Sequence, residues 1–173
     1  MPITLDGTSG VTTPSIQNSG SNGTGNIGNS TTYFNTVFAK ATSAQYADVA
    51  EKYTADKNYP PGTVLEIGGL AEVCASKEIA SNRVCGVVST NPALIMNSSL
   101  ESEYVTTVAL VGRVPCRVKG QISKGDLLCS SDSPGVATAL PIHRYSPGVV
   151  LGKSLQDYNS EQEGIIEVLI GRL

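Results

Sequence analysis

The acidic pair Asp48 and Glu51 is the first set of residues in this chain with the types and spacing for chemistry. They lie three apart in ADVAEKY, and on a helix that spacing puts both side chains on one side. Two such carboxylates, with proton affinities driven apart, divide general acid and general base work on a water molecule. The competing reading is a charged surface: Asp48 and Glu51 pair with Lys52, Lys57 or basic residues of a neighbouring subunit. A second set, Ser123-Lys124-Gly125-Asp126, places a hydroxyl beside an amine, yet it also suits a charged turn before the strand DLLC. The single histidine, His143, would have to serve any Ser-His-Asp site, and it stands in the proline-flanked loop PIHRYSPG. With Arg144 and Tyr145 it makes a better contact set than a catalytic one, since interfaces favour Tyr and Arg. Cys74, Cys85, Cys116 and Cys129 include no CxxC and are remote from the histidine, so no zinc site is expected. Their apolar contexts (AEVCAS, RVCGVV, VPCRV, LLCSS) suit buried, reduced thiols. GTGNIG, Gly23 to Gly28, has the outline of a dinucleotide fingerprint but lacks the strand and helix that give it meaning. No cofactor, no metal and no catalytic residue is expected, with Asp48 and Glu51 as the sole candidates for catalysis.

The elements that must position these residues change character across SAQYADVAEKYTADKNYPPG, residues 43 to 62. Residues 7 to 39 contain no Asp, Glu, Lys or Arg. Rich in Gly, Ser, Thr and Asn, that lead buries too little apolar surface to offset its own ordering entropy. It is expected to take shape only against sister copies or a socket, as an extended attachment and oligomerisation segment over 1–43. A charged neck follows over 44–61. There Tyr46, Val49, Ala50 and Tyr53 fall at i, i+3, i+4 and i+7, which predicts a short helix over 44–53 capped by Ser43. Phe34, Val37, Phe38 and Ala41 repeat the spacing, although TYFNTVF is equally suited to extended chain.

Residues 62–173 read as short strands separated by Gly-centred turns. GTVLEIGG and LAEVCAS form a hairpin about Gly68-Gly69. RVCGVVS, VTTVALVG, RVPCRVKG, GDLLCSS, GVATAL, GVVLGKSL and GIIEVLIGRL follow as strands, with 91–104 as a long connection. Pro115 belongs at an edge or bulge because it cannot donate to a ladder. The expected fold is mainly β, a short-stranded barrel-like body. Runs such as VALV and VLIG are apolar on both faces, so one face is expected to pack on neighbouring subunits. A net charge of −3 and a pI of 5.1 give no basic footprint for nucleic acid. The longest apolar runs are far short of the ~20 residues that span a bilayer, and MPITLDGTSG lacks the pattern of a signal peptide. A soluble product without membrane insertion is expected, made in the cytoplasm of its producer.

ADVAEKY, RVCGVVSTNP, VALVGRVPCRVKG, KGDLL and IIEVLIG occur in that order over residues 44 to 173. In this the chain resembles the C-terminal intramolecular-chaperone and autoprocessing domain of phage neck-appendage and tail-fibre proteins, classed with the G2 peptidases. The resemblance implies a virion structural protein, a homotrimer joined through its β domain. Its N-terminal segment, residues 1–40, would attach to tail, baseplate or neck proteins. It also implies an alternative, self-cleavage near residues 41 to 46 by Asp48 and Glu51. A second alternative is a receptor-binding tip that meets host surface glycans through the loop carrying His143, Arg144 and Tyr145.

Overall fold

A computed structural model describes residues 13–17, 19–21, 26–29, 31–37 and 47–171. The chain divides into two units, Met1–Thr42 and Ser43–Leu173. Ser43 and residues 41 to 46, like Gly23 to Gly25 of GTGNIG, lie outside the described residues. In the first unit Asn29 Oδ1 accepts hydrogen bonds from the Thr31 and Thr32 amides, 2.9 and 2.7 Å. That side-chain turn leads into the exposed segment 31–37.

The second unit is a ten-stranded sheet. Its strands are β1 (Asp48–Thr54), β2 (Val64–Ile67), β3 (Val73–Ala75), β4 (Val84–Val88), β5 (Leu94–Met96), β6 (Val105–Ile122), β7 (Leu127–Ser130), β8 (Ala137–Ala139), β9 (Gly152–Ser154) and β10 (Tyr158–Ile170). A 3-10 turn, Ile142–Arg144, lies between β8 and β9. β6 pairs with β8, β8 with β7, β7 with β9, β9 with β10, and β10 again with β6. That circuit closes, so the body is barrel-like and mainly β. Full closure removes sheet edges, which suits strands this short. The other half of β6 carries an extension in which β4, β2 and β3 continue one way and β1 and β5 the other.

Two apolar clusters follow this division. Val114, Cys116, Val118, Ile122, Leu128, Leu151, Ile166, Val168 and Ile170 fill the closed circuit. Leu65, Val73, Val88 and Val108, flanked by Tyr53 and Tyr59, fill the extension. The alternation along β6, with Val114, Cys116 and Val118 buried and the residues between them half-buried, is what a strand with one core face requires. Glu66 is the charged exception on β2, 3% exposed. It is satisfied by Ser81 Oγ at 2.7 Å and Arg83 Nη2 at 2.8 Å, as a buried carboxylate must be.

The neck is where sequence and structure part. Residues 48 to 54 are strand β1, not a helix. Asp48 and Ala50 are buried while Val49 and Glu51 between and after them are half-buried, so the first four residues alternate with a period of two. β1 pairs along its whole length with residues 105 to 112 of β6, and this distant partner overrides local spacing. Two further expectations change. The runs on either side of Gly112 are one continuous strand of 18 residues. Inside the long connection Leu94–Met96 forms β5, parallel to β1. The hairpin at Gly68-Gly69 has Leu65 opposite Ala75 and Ile67 opposite Val73. Pro115 lies opposite Glu167 of β10. The Arg113 and Arg117 amides point away from β10, to the carbonyls of Ala47 and Gly62. Pro115 shares their direction, so its missing donor falls where no strand is paired.

All four cysteines are free thiols, with Cys85 half-buried and the others buried. Burial pushes Cys85 and Cys116 up to about 12 and Cys129 to about 11. The thiolate, the reactive form, is therefore scarce in the folded chain at neutral pH. In the unfolded chain the same thiols ionise at roughly 8.5. The thiols contribute stability below that pH that is lost as pH rises toward the folded values. Iodoacetamide at pH 8 should label the native chain slowly and the denatured chain at four sites, and the urea midpoint should fall steadily between pH 9 and 11. Rapid native labelling or a flat alkaline profile would show the thiols to be accessible.

Candidate assembly surface

The sequence-predicted acidic pair is not brought together as a helix would bring it. In β1, residues three apart leave opposite faces of the sheet. Asp48 is 5% exposed and faces the buried side. Among the described residues its Oδ2 has no hydrogen-bond partner. Glu51 faces the other side and accepts a 2.9 Å hydrogen bond from the Tyr53 hydroxyl. Burial first, and then that hydrogen bond, pushes Tyr53 up to about 12, so the phenol stays a donor throughout the physiological range. Lys52 is committed elsewhere, its Nζ donating to the Ser98 carbonyl at 2.6 Å.

Ser123-Lys124-Gly125-Asp126 is a turn between β6 and β7. Asp126 Oδ2 accepts from the Ser123 amide at 2.8 Å, and the Asp126 amide donates to the Ser123 carbonyl at 3.0 Å. Asp157 Oδ1 holds the Lys124 amide at 2.8 Å. His143 and Arg144 occupy the 3-10 turn and are exposed, as is Tyr145 that follows.

Tyr145 opens onto a concave feature of the body. This open groove of about 1070 Å³ is walled by Tyr53, Val84, Leu110, Val111 and Ile170, with the Tyr145–Leu151 loop along one side. Part of its rim is apolar and exposed, with Ile67 at 49%, Val111 at 54% and Tyr145 at 57%, while Asn82 and Ser146 add polar groups to the lining. A bulge in β6 causes part of this. Val49 pairs with Val111 and Ala50 with Ala109, leaving Leu110 as the extra residue, and such an insertion re-aims the side chains around it. Across the sheet Val111 lies beside Val49, and Val49 beside Leu94 of β5. Paired residues share a face, so the apolar strip runs from the groove to the open edge of β5. Leu94, Ile95 and Met96 are all exposed. The runs VALV and VLIG gave an apolar face but not its outline, because β1, β4, β5, β6 and β10 each contribute to it.

The groove brings two tyrosines, Tyr53 and Tyr145, to one apolar surface. No family model matches the chain, and no curated protein matches it either. Among solved structures the chain is similar to pre-mature bacteriophage phi29 gene product 12 at a TM-score of 0.57 and 11% identity, over 77% of this chain and 23% of that one. The shared fold is a phage protein's fold. The chain thus spans about a quarter of the length of that neighbour. It is also similar to the C-terminal fragment of the same gene product, at a TM-score of 0.50 and 13% identity, over 71% of this chain and 99% of the fragment.

Proposed function

We propose that this chain is a virion structural protein, a phage tail-fibre or appendage subunit that homotrimerises through its C-terminal β domain and attaches to the particle through residues 1–40. The observation that carries the reading is the uncovered apolar groove and strip on a body whose fold is that of a bacteriophage gene product's C-terminal fragment. Apolar side chains left exposed are unfavourable in water, and copies that cover them would remove that cost. The uncharged lead supports the same reading, since it gains order most economically from neighbours. Mass spectrometry of particles purified from the producing phage tests it. The 18.0 kDa chain should be recovered in the particle fraction, and its confinement to the lysate supernatant would overturn the assignment.

A second reading, self-cleavage upstream of β1, is favoured by one observation. One structural neighbour is the pre-mature form of a gene product, and a C-terminal fragment of that product has this fold. Asp48, buried with a free carboxylate oxygen among the described residues, is then the group to test. Under this reading the wild-type chain shortens on assembly, and Asp48→Asn keeps its full 18.0 kDa mass. Equal intact mass for both proteins after assembly would remove the reading.

A further inference from the structure

We infer that β5 accepts an added strand from a second copy of this chain, and that the donor is the segment 31–37. The inference rests on the self-association proposed above and names the exchange within it. β5 pairs only with β1, so its outer edge carries no strand among the described residues. Natural edge strands are guarded by shortness, lysine, proline or a bulge, and β5, three residues long and two positions after Pro92, has its shortness but no lysine or bulge. This one has Leu94, Ile95 and Met96, exposed 56%, 42% and 38%, in three successive positions without a charge. The strand is nonetheless firmly held on its inner side. The Asp48 carbonyl accepts from the Ala93 amide at 2.8 Å, and Asn97 Nδ2 donates to the Lys52 carbonyl at 3.1 Å. A rigid, open, apolar edge is the template for β-augmentation.

The donor has the complementary defect. Residues 31–37, TTYFNTV, are uncharged and favour extended chain. Tyr33, Phe34 and Val37 are exposed 78%, 64% and 71%. They have aromatic and β-branched side chains for a sheet but no ladder of their own.

The area decides how the contact must be used. Aromatic side chains bury roughly 150–250 Å² each, so one docked segment with the aliphatic groups it meets covers on the order of 800 Å². A stable interface buries roughly 1,200–2,000 Å². One docked strand falls short of this alone, so the contact must be shared with the apolar strip beside it, and in a ring every copy both donates and accepts one strand. Head-to-tail donation with closure has that form. The acceptor edge is also continuous with the apolar strip that runs through Val49 and Val111 to the groove, so the added strand would extend one covered surface.

Amide hydrogen exchange on the full chain tests this, read beside sedimentation of the same sample. In the assembled wild type, the amides of 33–37 should exchange at least tenfold more slowly than in an unstructured peptide of that sequence. In the variant Leu94→Lys/Ile95→Lys that protection should vanish, while protection of 113–118 in β6 persists and shows the body folded. Assemblies whose 33–37 amides exchange at the peptide rate would overturn the strand exchange and leave self-association standing. Protection unaffected by the two lysines would place the segment elsewhere and overturn it equally. Protection that persists in monomers on dilution would show pairing within one chain, against a second copy. A chain that never assembles would overturn both readings together.

Discussion

Gly112→Ala is expected to be the most damaging single methyl in the body. Gly112 has φ +113° and sits in β6 opposite Asp48. A Cβ there would stand 2.1 Å from the Ala47 carbonyl oxygen and 2.7 Å from Asp48 Cα. Both are backbone atoms, so no side chain can swing away. Left-handed backbone in a residue with a Cβ costs about 1–3 kcal/mol on its own. Displacing the start of β1 adds to this, because the Arg113 amide donates to the same Ala47 carbonyl. We expect a total loss of about 3 kcal/mol or more, near the upper range for single substitutions. That corresponds to roughly 10 °C in melting temperature for a body of this size. Gly125→Ala is the matched control: φ is +96°, but nothing lies within 4 Å of its Cβ. It should lose only about 1 kcal/mol. Similar melting temperatures for the two variants would show that the approach of β1 to β6 is not tight.

Val111→Asp should do the opposite, leaving the fold and removing the assembly. Val111 is 54% exposed at the β6 bulge, and exposed substitutions usually change stability by less than about 0.5 kcal/mol. Its melting temperature, measured in the dissociated state, should therefore match that of the wild type. Covered by another copy, the same carboxylate would be buried without a partner, at a cost of about 3 kcal/mol or more. At 1.4 kcal/mol per factor of ten, the dissociation constant should rise by about a hundredfold. Tyr145→Ala, on the facing loop, should weaken assembly in the same direction by removing an aromatic anchor. Unchanged association of Val111→Asp would place the subunit contact away from the groove.

The barrel-like class was legible because Gly-centred turns cut the chain after residue 62 into short apolar runs. Most of those runs became strands. β1 was misread for a specific reason: Tyr46, Val49, Ala50 and Tyr53 satisfy a helical spacing, while Val49, Glu51 and Tyr53 equally satisfy a period of two. Only pairing with β6, more than fifty residues away, decides between them. The misreading carried the acidic pair with it, since Asp48 and Glu51 share a side on a helix and not on a strand. β5 was hidden because three residues, LIM, set in a polar connection are too short to show any period. Gly112 read as a break between two strands and Pro115 as an edge or bulge position, yet both sit inside one strand. Gly112 gives β1 its close approach, and Pro115 meets β10 at a position that needs no donor. Of the contact set His143, Arg144 and Tyr145, the groove takes Tyr145. The rest of its wall comes from strands scattered along the chain, which no local pattern could have joined.

Sedimentation equilibrium of the purified full-length chain at micromolar concentration tests self-association most directly. The expected result is a single species of three times the 18.0 kDa chain mass, shifting toward lower mass in Val111→Asp. A wild-type chain that sediments as an 18.0 kDa monomer across the whole concentration range, with its apolar groove open to water, would contradict it.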